Sequence, residues 1–135
     1  LEHMTDIHII DYEEILQLNK GYTVGVLTVE GDRCWMTHRT LHDLELAAEG
    51  VMVLSITRDS GLVLGTPTSG TTIEPGDKLL CYGLHADLAR LRERQSGEEG
   101  DRDHMLAKRR QKLRLVEEKV EDERDELDHP HTPTA

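Results

Sequence analysis

The apolar positions of this chain change period along its length, and each period marks an element. Tyr22 to Glu30 alternates loosely, with Val24, Val26, Leu27 and Val29 apolar, as a strand with one buried face does. Glu30-Gly31-Asp32 ends it, and Trp35 and Met36 follow in a connection. Thr40 is placed to cap a short helix that turns Leu41, Leu44 and Leu46 inward. Gly50 then releases the chain into Val51 to Thr57, a run that reads as a buried central strand. Asp59-Ser60-Gly61 is a hairpin turn, so Leu62 to Thr66 is expected antiparallel to that strand. Pro67 to Thr72 is a polar loop. In Glu74-Pro75-Gly76-Asp77, Pro75 fixes φ at the second position of a tight turn. Gly76 supplies the positive φ that a type II turn needs next. Lys78 to Tyr82 follows as a buried strand ending at Gly83, and His85 to Leu91 as a helix.

The two ends read differently. Leu1-Glu2-His3-Met4 has the look of a cloning scar and is set aside. Asp11 and Glu14 form a capping box ahead of Ile15, Leu16 and Leu18, and Gly21 is placed to end that helix. Residues 5–21 are therefore a helical segment or linker before a domain at 22–94. Residues 95–128 are expected as a linker, Ser96 to Gly100, and a highly charged helix. Within that helix Leu106, Leu113, Val120 and Leu127 recur every seven positions, with Val116 on the same side. Lys108, Arg109, Arg110, Lys112 and Arg114 make a basic half; acidic residues dominate from Glu117 to Asp128. This order opposes the helix macrodipole. Two antiparallel copies would pair opposite halves; a single copy would be a solvated, fraying helix. Residues 129–135, with Pro130 and Pro133, read as a disordered tail.

The ordered set of central elements resembles the TrkA C-terminal domain, or RCK-C domain, of regulators of potassium conductance. The pieces that carry the resemblance are the strand Tyr22 to Glu30, the helix Thr40-Leu41-His42-Asp43-Leu44, and the strand Val51 to Arg58 ending in Ile56-Thr57-Arg58. The strand at Leu62 to Pro67, the turn at Glu74 to Asp77 and the final strand Lys78 to Gly83 complete it. The sequence departs from the pattern at His38, where family members often carry Gly before the helix. The resemblance implies a small α+β domain of β-α-β-β-β order that acts as a homodimer. It implies a cytoplasmic regulatory role at the inner face of the membrane, beside a potassium channel or transporter part. Some relatives bind small ligands, including cyclic di-AMP, between two such domains. The matching region here would draw on Ile56, Arg58, Thr66 and Pro67, with a nucleotide or cyclic dinucleotide as the implied ligand class.

Composition narrows the function classes. A net charge of -11 would repel phosphate backbones, so nucleic acid is not an expected partner. With no Phe among 135 residues, the core must be aliphatic and small, and dimerisation would add the burial such a domain lacks. Cys34 and Cys81 form no Cys-x-x-Cys pair and read as reduced, mostly buried thiols. No run of 18 apolar residues is present, and the chain reads as a soluble piece of a longer protein.

Arg58 is the residue the sequence singles out. An arginine at the end of a buried strand needs a partner. A guanidinium suits a phosphate or carboxylate ligand; it equally suits a structural salt bridge to Asp59, Asp77 or a neighbouring subunit. The eight histidines lack metal-ligand spacing: His38 and His42 lie four apart, but His38 precedes the helix cap. No nucleophile motif, Gly-x-Gly-x-x-Gly or phosphate loop occurs, so an enzyme is not expected, and the Rossmann domain that often precedes this one in its relatives is missing from the sequence. The reading is a ligand-sensing dimeric module, with a pure dimerisation module as the alternative.

Overall fold

The computed structural model describes residues 20–128, so the expected N-terminal helix, the first four residues and the C-terminal tail lie outside the described residues. The fold is α+β. Strands β1 (Tyr22–Thr28), β2 (Met52–Thr57), β3 (Val63–Leu64) and β4 (Lys78–Leu84) form one antiparallel sheet in the order β1-β4-β2-β3. Helices α1 (Leu41–Leu44), α2 (His85–Glu93) and α3 (Glu98–Asp128) accompany it, with a 3-10 segment at Leu46–Glu49.

Local chemistry explains the elements that the sequence marked. The Thr40 hydroxyl accepts the Asp43 amide, and the carbonyls of Thr71 and Ser69 accept the amides of Leu41 and His42. The three amides of the first turn that the helix itself leaves free are thus satisfied, and the Leu44 amide makes the first intrahelical bond, to the Thr40 carbonyl. The turn at Glu74 to Asp77 closes through the Asp77 amide on the Glu74 carbonyl at 3.1 Å, and Gly76 sits at φ 88. A Cβ there would also meet the Asp59 side chain at 2.9 Å, so glycine is needed twice over. His38 takes φ 64, the left-handed region, which is the physical reason a glycine suits that position.

The register sorts the sheet into two faces. Leu27, Ile56, Leu79 and Cys81 point one way and are fully buried. Leu88 and Leu91 of α2 cover the β1 and β4 part of this face; Gly25 and Gly83 leave the room, since a Cβ on either would touch Leu88 at 3.4 and 3.6 Å. Trp35, Met36, Leu44, Leu46 and Ile73 extend this core beyond the sheet edge.

Three expectations change. β2 is buried on one face only: Met52 and Leu54 are exposed, because the helices and the 3-10 segment pack on the other side of the sheet. The strand expected at Leu62 to Thr66 pairs only at Val63 and Leu64. Ser96 to Gly100 is not a slack linker: α3 begins at Glu98, and Gly100 lies inside it, buried. A Cβ on Gly100 would collide with the Gln95 carbonyl oxygen and sit 2.8 Å from Trp35 Cδ1. Glycine is there for close approach.

Candidate ligand site and interaction surface

Arg58 leaves the end of β2 toward the core side, where Asp77 of the turn before β4 waits. Its Nη1 donates to Asp77 Oδ2 at 2.6 Å and to the Thr72 carbonyl at 2.9 Å. The same Asp77 oxygen accepts the Glu74 amide at 2.8 Å, and Asp77 is 1% exposed. A carboxylate buried that deeply requires its cation. Arg58 is less enclosed, its side chain 23% exposed, and its Nη2 and Nε have no partner among the described residues. Arg58 is thus anchored at one nitrogen with an outer edge toward solvent.

The other sequence candidates are placed less tightly around it. Ile56 is 0% exposed, packed in the core, and its side chain offers a ligand no surface. Thr66 is exposed and Pro67 half-buried. Leu64 faces Ile56 in register, so the chain runs away from the hairpin turn before it reaches them. The residues that do meet Arg58 are Thr72 and Asp77. The sequence marks Asp77 only as a salt-bridge partner of Arg58. Thr72 had no sequence signal, because it acts through its backbone carbonyl.

The second surface is the uncovered face of the sheet. Val24 and Val26 of β1, Met52 of β2 and Val63 beside β2 are between 39% and 60% exposed. Leu80 and Tyr82 of β4 lie between them in register, half-buried by their neighbours. Tyr22 and Tyr82 stack at 5.8 Å. Val24, Tyr82 and Met52 make one apolar row across β1, β4 and β2, with Val26 and Leu80 beside it, while Ser55, Thr57 and Lys78 separate this row from Val63. Such a row is more than the singly scattered apolar residues of an ordinary surface.

A third arrangement, without a local signal in the sequence, joins α3 to the domain. Arg94 and Glu49 meet in a two-pronged ion pair at 2.8 and 2.9 Å, and His104 Nδ1 lies 2.6 Å from the same carboxylate. The Arg39 and Arg94 guanidinium groups lie over the Trp35 ring at 4.6 and 4.7 Å. The indole donates to Asp101 at 2.9 Å, which, with Arg39, holds that carboxyl below its ordinary range. Lys108 holds Glu45 low in the same way. Arg114 reaches Asp87 on α2 at 2.9 Å. On β4, burial pushes the Cys81 thiol up to about 12, which makes it a core residue and not a nucleophile. Among the described residues no cluster of three His, Cys, Asp or Glu is arranged to hold a metal, and no helix is long and apolar enough to cross a membrane.

A family model for the TrkA-C domain matches residues 29–96, half of the chain. The chain belongs to the TrkA-C domain family. The matched stretch begins one residue past β1 and runs through the turn before α3, so it holds the Arg58 node and most of the sheet. No curated protein matches the chain. Among solved structures it is similar to a protein described as "GsuK channel bound to NAD", at 18% identity and a TM-score of 0.45. That likeness covers 59% of this chain and 14% of the other, so this TrkA-C chain spans a small part of that protein's length.

Proposed function

We propose that this TrkA-C domain is a cytoplasmic regulatory module of a potassium or other cation channel or transporter, working as a homodimer that senses a small anionic ligand. Family membership supports the regulatory role. The uncovered apolar sheet face supports the dimer: a second copy laid on Val26, Met52 and Val63 would bury side chains that the fold leaves in water. The membrane part belongs to the same full-length chain or to a partner subunit.

The observation that carries the ligand site is the half-anchored Arg58. Asp77 and the Thr72 carbonyl fix its direction, and its free edge is available for a phosphate of a nucleotide or cyclic dinucleotide. Thr66 and Pro67 would form the rim, and Ile56, fully buried, would make no direct contact. A plain dimerisation module is the second reading, and one fact favours it: Asp77 already neutralises Arg58.

A thermal-shift panel of nucleotides, cyclic dinucleotides and divalent ions separates the two. A ligand at a hundred times its Kd raises stability by about 2.7 kcal/mol. Arg58→Lys keeps a cation beside Asp77 but loses the planar fork. The ligand-sensing reading expects at least one anionic compound to raise Tm, and expects that shift to vanish in Arg58→Lys while the unliganded Tm stays within a few degrees. A panel with no shift, or a shift untouched by the substitution, favours the assembly module.

A further inference from the structure

α3 has two working faces, and only one of them is covered. His104 and Ala107 are buried against the domain, and Gln111 and Arg114 are half-buried on the same side. From Leu115 to Leu127 every residue is exposed. On the side away from the domain, Leu106, Leu113, Val116, Val120 and Leu127 are 43% to 82% exposed. They make an apolar stripe roughly 30 Å long at 1.5 Å per residue.

We propose that this stripe binds the same stripe of a second copy of this chain, antiparallel, about a two-fold axis at Val116. Three observations carry it. The first is the order of residues on the stripe. Successive positions lie three and four apart, the spacing of a helix–helix seam, and Arg109 and Glu123 fill the two places that are not apolar. Arg109 is second from one end and Glu123 second from the other. Reversing one copy therefore sets Leu106 beside Leu127, Arg109 beside Glu123, Leu113 beside Val120, and Val116 beside itself. A parallel copy would set arginine against arginine and glutamate against glutamate.

The second observation is that Arg109 and Glu123 are both exposed and make no ion pair among the described residues, whereas Lys108 and Arg114 in the same basic half are held by Glu45 and Asp87. Arg110, Lys112 and the acids from Glu117 to Glu126 are likewise without an ion pair among the described residues, but of these charges only Arg109 and Glu123 lie on the stripe. The third is that the outer half is poorly made for standing alone. Glu117 and Glu121, Glu118 and Asp122, Glu121 and Asp125, and Asp122 and Glu126 are like-charged pairs four apart, and they sit at the helix's negative end. A basic segment from a second copy offsets both effects. This pairing does not depend on the sheet-face dimer.

The test is a cross-link on the full chain with Cys34→Ser. Chains carrying Leu106→Cys are mixed with chains carrying Leu127→Cys and oxidised mildly; Cys81 is buried and does not compete. The proposal expects the mixed 106-to-127 product to exceed both like-with-like products. It also expects Arg109→Glu to weaken self-association of this helix by about tenfold or more, and the double change Arg109→Glu/Glu123→Arg to restore it. Like-with-like products in excess would mean a parallel pair and overturn the proposal. An absence of cross-linked dimers would overturn it as well, leaving the stripe to a different protein.

Discussion

Glu49 and Arg94 form a two-pronged ion pair at 2.8 and 2.9 Å with both side chains out of water, 3% and 2% exposed. One residue ends the 3-10 segment and the other ends α2, so the pair ties together the two connections on which α3 rests. His104 of α3 joins the same carboxylate, and the Arg94 guanidinium lies over Trp35. Removing the acid leaves a buried arginine with no counter-charge. Glu49→Ala is expected to cost about 3 to 5 kcal/mol. Urea unfolding followed by Trp35 fluorescence measures it. A loss under 1 kcal/mol would mean that α3 does not rest on this pair.

Gly100 gives a prediction whose sign runs against helix propensity. Alanine is favoured over glycine inside a helix by about 1 kcal/mol. Here the added methyl would collide with the Gln95 carbonyl oxygen and press on Trp35. Gly100→Ala is therefore expected to destabilise by about 1 to 3 kcal/mol and to change the Trp35 emission. A stabilised variant with unchanged emission would contradict the close packing of α3.

Cys81 sets a direction at high pH. Its thiol is pushed up to about 12 in the fold by burial, from an ordinary value of 9.0 in the unfolded chain. The neutral thiol is thus favoured by folding. Its contribution is complete below pH 9 and declines as pH rises toward 12, because only the unfolded chain ionises freely in that window. Unfolding free energies at pH 8 and pH 10 are expected to fall more steeply in the native protein than in Cys81→Ala, by about 1 kcal/mol. Parallel slopes would place Cys81 in contact with water.

The sequence made local features legible and hid distant ones. Thr40 caps α1 and Gly76 turns the chain before β4 through atoms a few residues away, so residue type and spacing reveal them. Arg58 stood out as a charge at the end of an apolar run, yet whether Asp59 or Asp77 held it depended on the loop between β3 and β4. Glu49, Arg94 and His104 lie 45 and 55 residues apart in sequence, and each alone looks like any charged residue. Gly100 read as slack because serine, glycine and glutamate surround it; its reason is Trp35, far away in the chain. The exposed face of the sheet was invisible for a related reason. Apolar strand residues imply burial, but not whether the cover comes from the same chain.

The central claim is that a second copy covers that face, and light scattering on the full chain tests it directly. In an Arg109→Glu background, which weakens pairing through the α3 stripe, the protein is expected at twice 15.3 kDa. Adding Met52→Glu, a charge beside Tyr82 in the apolar row, is expected to bring it to the single-chain mass with the fold intact by circular dichroism. A single-chain mass before the Met52 change, at high micromolar concentration, would contradict the sheet-face dimer.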